Sequence, residues 1–249
     1  MRSNGVQFSI AAHAAWAPGL VKAADWAQWA RAPYAIVAGG EPQQPALTQM
    51  PAMLRRRAGS FGKMALEVAY QCLDGRGDVP MVFCSRHGEV ARAVELLSDL
   101  ARGEALSPTG FGMAVHNASA GLFTIARAER ANHIALAAGA ATVEHAVIDA
   151  CGLLADGAPM VLLVACDSAL PPLFSEFEDC REQPHAWAWL MVPAADDAIS
   201  LSWSAATPDA ASENAAMPGG LDVLRFQLSG AGRLERHAER RRWRWSRDV

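Results

Sequence analysis

Two short runs constrain this chain most: residues 79–84 (VPMVFC) and 160–166 (MVLLVAC). Each is wholly apolar, bounded by turn residues and too short for a core helix, so each reads as a strand buried on both faces. A strand without a polar face needs a layer of structure above and below it, which is the demand of an α/β fold. Helical stripes flank both runs. After the first, Ser85 is expected to cap a helix with Val90, Ala93, Val94, Leu97 and Ala101 on one face, stopped by Gly103. Before the second, Val143, Ala146, Val147, Ala150, Cys151 and Leu154 fall at i, i+3, i+4, i+7, i+8 and i+11, and Asp156-Gly157 closes that helix.

Between these units lies 107–140, SPTGFGMAVHNASAGLFTIARAERANHIALAAGA. Ser107-Pro108 opens it as a turn, 111–127 reads as one small-residue helix, 133–138 (HIALAA) as a strand and 139–142 as a tight turn. The same stripe as above, Phe61, Met64, Ala65, Val68, Ala69 and Cys72, predicts a helix ending at Asp74-Gly75. Strands are expected at 6–12, 186–192 and 199–203, with short helices and loops over 13–45, where Trp16, Trp26 and Trp29 read as local core. A loop is expected at 207–216 and a short helix at 221–228. The closing RRRWRWSRDV alternates Trp243 and Trp245 against Arg, which predicts a solvated edge strand anchored by two Trp.

A hydrophobic fraction of 51% with 19% charged residues, rich in Ala, implies a core of small side chains in close contact. The net charge of −4 gives no general affinity for nucleic acid or anionic membrane. Seven Arg against Glu235, Glu239 and Asp248 make the C-terminal segment locally basic; without a second basic-aromatic cluster it reads as an edge strand rather than a nucleic-acid platform. Cys72, Cys84, Cys151, Cys166 and Cys180 form no CxxC pair and no metal-ligand spacing, so a reduced, cytoplasmic protein without metal or cofactor is expected. No apolar run is long enough for a membrane span.

Candidate chemistry is sparse. The seven His show no HxxxH or HxH spacing. Cys151 sits on an apolar helix stripe, unlike a thiolate nucleophile, which needs an electropositive and partly exposed position. GxSxG, P-loop and GxGxxG motifs are absent from the 107–140 stretch.

The order Ser107-Pro108, Asn117 with Ala120-Gly121, strand 133–138, small turn, helix ending at Gly157 and strand 160–166 resembles the N-terminal half of β-ketoacyl synthases. The resemblance spans roughly 6–170 and is strongest over 79–168. It implies a thiolase-like (ketosynthase-like) layered α/β fold: a single truncated half, 1–249 forming one domain, with a small β-containing C-terminal extension at about 184–249.

Two departures decide what the resemblance implies about activity. Ala140 stands at the position of the family's catalytic Cys, which sits at a helix N-terminus where the dipole stabilises a thiolate. Ala140 has no nucleophilic atom, so acyl transfer through it is excluded. The two His that the family's second half supplies have no counterpart in a recognisable motif; His185 and His237 are the only His after Cys166.

A synthase-like chain without a nucleophile resembles the chain length factors of type II polyketide systems. The VHNASAG and RRRAGSFGKMALEVA segments look most like those of aryl polyene pigment systems. The resemblance implies a heterodimer with an active ketosynthase, an acyl carrier protein reached through that complex, and no activity alone. It places His133, Ile134, Ala135, Leu136, Ala137 and Ala138 at the dimer interface. It places Gly110, Phe111, Ala114 and Val115 on the wall of the partner's acyl tunnel. Two other readings stay open: a catalytically dead binding module, monomeric or homodimeric, and an enzyme with a site rebuilt around His87, His116 or Cys151.

Overall fold

A computed structural model of the chain describes residues 5–37, 43–206 and 216–247. The expected loop at 207–216 lies, save for its last residue, outside the described residues. The strands are β1 (Gly5–Trp16), β2 (Met81–Cys84), β3 (His133–Leu136), β4 (Val161–Asp167), β5 (His185–Val192), β6 (Ile199–Ala205), β7 (Arg233–Ala238) and β8 (Arg241–Arg247). The helices are α1 (Ala23–Arg31), α2 (Ala52–Arg55), α3 (Ser60–Leu73), α4 (Val90–Ala101), α5 (Pro108–Gly112), α6 (Ala118–Arg127), α7 (Thr142–Ala155) and α8 (Gly219–Ser229).

All eight strands join one sheet in the order β3-β2-β4-β5-β1-β6-β8-β7. β2 pairs parallel with β3 and β4, and every other pairing is antiparallel. Both apolar runs fall near one end of this sheet, and every residue of β2 and β4 is buried. Their alternate side chains enter two separate cores. Val82, Cys84, Val161, Leu163 and Ala165 face one side with α1, α7 and α8; Met81, Phe83, Leu162, Val164 and Cys166 face the other with α3 and α6.

β5 shows how pleat and side-chain volume position these layers. Ala186, Ala188 and Leu190 lie in the α3 core, while Trp187, Trp189 and Met191 lie in the opposite core with Trp243 and Trp245. Small residues let the buried helix α3 approach the sheet, and the Trp fill the wider space under α8. β1 changes phase at a bulge between Ile10 and Ala12. Phe8 therefore faces the Trp-rich core and Trp16 the α3 core, although both have even numbers.

Four expectations are corrected. The strand with Trp243 and Trp245 is not at an edge: β8 lies between β6 and β7, and both indoles are fully buried. Residues 111–127 form two helices, because Gly110 and Gly112 weaken the first and the chain turns at Met113 before Asn117 starts α6. β3 ends at Leu136, leaving Ala137 and Ala138 beyond the strand. Ser85 does not cap α4, whose N-cap is Glu89. Instead its Oγ accepts from Gly88 N at 2.8 Å and donates to Asp167 Oδ1 at 3.0 Å, tying the end of β2 to the end of β4.

The five cysteines are free and buried. Burial pushes the thiols of Cys72, Cys151 and Cys180 up to about 12, so all three stay protonated and inert at neutral pH.

His185 is buried at the start of β5, where its Nδ1–H donates to Gln183 O at 2.8 Å. Burial holds its pKa below the ordinary 6.5, against the opposing pull of Asp167 and the Gln183 carbonyl. The imidazole is thus neutral in the fold and ionisable in the unfolded chain. Below pH 6.5 the unfolded state binds the extra proton, so stability is level above that value and falls as pH drops through it. Thermal melts across this range check it: His185→Gln is expected to flatten the acid limb, leaving the contribution of His13, whose pKa burial also lowers.

Candidate functional site: the elbow before helix α7

β3 leads through Ala137 and Ala138 into a single 3-10 turn, Gly139–Ala141, and then into α7. Gly139 turns the chain with φ of +53°. Thr142 Oγ1 accepts from Ala138 N at 2.9 Å and donates to Gly139 O at 2.7 Å, so the turn is braced by its own helix. Ala140 stands at the tip, half-buried, on the N-terminal side of α7. It presents a methyl group and two backbone polar groups.

Residues far away in sequence close over this tip. Arg236 of β7 donates from Nη2 to Ala140 O at 3.1 Å and pairs through Nη1 with Glu144, which is 0% exposed on the first turn of α7. Trp245 Nε1 also donates to Glu144 Oε1, at 3.4 Å. Asp222 on α8 lies 3.7 Å from Arg236 Nε. Burial would lower the Arg236 pKa, but Glu144 and Asp222 raise it further, and the guanidinium stays charged. Glu239, in the turn between β7 and β8, accepts from Ala140 N at 3.3 Å. Arg236, Glu144 and Glu239 escaped sequence reasoning; the available signal was a Glu bordering the apolar stripe of α7 and an Arg at an inward position of β7.

The predicted interface residues sit at an edge of the sheet. Among the described residues β3 pairs with β2 alone and ends the strand order. His116 Nε2 contacts Leu136 O at 3.0 Å, which joins the α5–α6 turn to the end of β3. Gly110 and Phe111 lie on α5, Ala114 and Val115 follow in the turn that leads to His116, and Phe111 is 65% exposed. α4 packs on α5, where Leu96 lies against Gly110. The stripe on α4 expected to face a core has none: no residue of α4 is buried, and Leu97 and Leu100 are 57% and 58% exposed.

The groups of a rebuilt site are not brought together. His116 lines a small cleft with Phe83, Ser119 and Cys166 on the α3 side of the sheet, whereas Cys151 lies in the opposite core. His87 lies 3.9 Å from Glu182, beside Arg86. Arg86 is a buried ion-pair centre, with Asp167 Oδ2 at 3.2 Å, Asp179 Oδ1 at 2.5 Å and Glu182 on its Nη2. Asp179, Cys180 and Glu182 offer metal-ligand atoms within 4.8 Å of one another. The guanidinium already supplies the cation these carboxylates need, and the protonated Cys180 thiol is a poor ligand. This cluster ties the 171–185 loop to β2 and β4.

No curated protein matches this sequence. Among solved structures, the chain is similar to the ketosynthase ApeO in complex with its chain length factor ApeC from Xenorhabdus doucetiae, at 28% identity and a TM-score of 0.85, covering 97% of this chain and 100% of that one. It is similar in fold to a type II PKS complex, the acyl-carrier protein with its ketosynthase of AntDE:AntF, at 12% identity, a TM-score of 0.68 and 100% of both chains. A β-ketoacyl synthase from Burkholderia phymatum STM815 shares the fold at 12% identity and a TM-score of 0.59, over 84% of this chain and 65% of that one. The thiolase-like α/β architecture is thus that of ketosynthases. The family model for the β-ketoacyl synthase N-terminal domain matches residues 26–246, and the chain belongs to the β-ketoacyl synthase family.

Proposed function

We propose that this chain is a non-catalytic chain length factor: it pairs with an active ketosynthase and shapes that partner's acyl tunnel in type II polyketide synthesis, specifically of aryl polyenes. The observation that carries this reading is the outer edge of β3, which ends the strand order among the described residues, on a chain that also exposes Phe111, Val115, Leu97 and Leu100. An open strand edge and exposed large side chains are liabilities for a free subunit and assets for one that docks. Ala140 supports the non-catalytic half of the reading, since its methyl group cannot carry an acyl chain. The likeness to ApeO with its chain length factor supports the pairing with a ketosynthase, and the VHNASAG and RRRAGSFGKMALEVA segments carry the narrower assignment to aryl polyenes. An acyl carrier protein would meet the chain through the complex. Among the described residues no helix is long and apolar enough to cross a membrane.

Co-expression with a ketosynthase that has its Cys and both His tests the pairing. A 1:1 complex is expected, and a chain that stays monodisperse alone and ignores the ketosynthase would sink it. Within that complex, Phe111→Ala tests the tunnel. Each methylene admitted to an apolar wall is worth about 0.8 kcal/mol, so removing the ring is expected to shift products to longer chains. An unchanged length distribution removes Phe111 from the tunnel. The bare edge of β3 favours one alternative, a homodimer paired through that strand, which would show as a stable 2:0 species unaffected by the ketosynthase.

A further inference from the structure

We infer that the β7–β8 hairpin is a built-in plug: the Glu239 carboxylate sits on the backbone N–H of Ala140 and places an anion at the position where family members hold a nucleophile. The inference rests on the non-catalytic reading only for the assignment of Ala140 to that position.

Four observations carry it. Glu239 Oε1 accepts from Ala140 N at 3.3 Å. A Cβ on Gly139 would run into the Glu239 carboxylate, so the approach requires glycine there. Glu239 and Arg240 have φ of +52° and +58°. A two-residue turn of that kind favours Asn-Gly, and side chains pay a steric penalty in it. The turn keeps a glutamate at a strained position whose carboxylate reaches a residue 99 positions away. The hairpin is also anchored on both sides of its tip. Arg236 donates to Ala140 O and lies across Gly219, where any side chain would collide with it. Ala206 N donates to Arg240 O at 3.0 Å.

The resident anion explains the effect. Glu144 and Asp222 flank the Arg236 guanidinium, while the Glu239 carboxylate meets the elbow at the Ala140 N–H. A thiolate needs positive surroundings at a helix N-terminus. Here a resident anion already takes the backbone N–H at the tip of the elbow. Restoring a cysteine would not by itself restore a reactive thiol.

The test compares Ala140→Cys with Ala140→Cys/Glu239→Ala in the full chain, scoring alkylation of the introduced thiol by iodoacetamide with peptide mass spectrometry. The buried native cysteines give little background. Removing the carboxylate is expected to speed alkylation about tenfold or more, the equivalent of one pKa unit. Equal rates would overturn the plug. If Ala140→Cys does not fold, hydrogen exchange at the Ala140 amide decides: Glu239→Ala is expected to lower its protection about tenfold, and unchanged protection overturns the inference. Thioester turnover by the unaltered chain would instead refute the non-catalytic reading, so the two failures are distinct.

Discussion

Arg236→Met is expected to destabilise the chain by about 3–5 kcal/mol, the usual cost of removing one partner from a buried ion pair. Glu144 is fully buried and Arg236 nearly so. Without the guanidinium, Glu144 Oε1 keeps only the Trp245 indole at 3.4 Å, and Glu144 Oε2 has no hydrogen-bond partner among the described residues. The loss would be a large share of the ~5–15 kcal/mol that holds a typical domain together. Urea titration checks it as a lower midpoint with an unchanged slope. The double variant Arg236→Met/Glu144→Gln separates charge from packing: it is expected to recover most of the loss, because the uncompensated carboxylate is gone. If the single variant loses under ~1 kcal/mol, the pair behaves as a surface bridge and the elbow is not held by it.

Phe111→Asp is expected to abolish pairing with a ketosynthase while leaving the subunit folded. The ring is 65% exposed and lies on a five-residue helix, so the substitution removes little internal packing. In a docked complex it would place an unpaired carboxylate within an apolar contact. Aromatic anchors of this kind cost about 2–4 kcal/mol when truncated, and a buried unpaired charge adds to that. Affinity should fall at least about thirtyfold, measured by titration of the purified ketosynthase, with the melting temperature of the free subunit unchanged. Leu97→Asp on α4 is the companion: an effect of similar size would extend the contact across both helices, and no effect would confine it to the α5 turn.

Much of this architecture was legible residue by residue. The apolar runs that became β2 and β4 had no polar face to expose, so burial on both sides followed from composition. The stripes of α3 and α7 recur at helical spacing and pack as that spacing requires. Position 140 was readable for a simpler reason, since a methyl group has no nucleophilic chemistry in any fold. Where reading failed, a long-range partner decided. Trp243 and Trp245 alternate with Arg just as an edge strand would, and only the pairing of β8 with both β6 and β7 makes it interior. The stripe on α4 has the pattern of a buried helix, yet periodicity reports that a face is apolar without naming what covers it.

The sequence by itself determined a layered α/β core and an elbow without a nucleophile, because both follow from side-chain chemistry and local periodicity. Only the tertiary structure decided what surrounds that elbow. Arg236, Glu144, Glu239 and Asp222 come from three elements and a turn, spread over about a hundred residues. Charges so far apart in the chain interact only after the sheet has brought β7 and β8 beside α7, since Coulomb energies fall with distance and are screened in water.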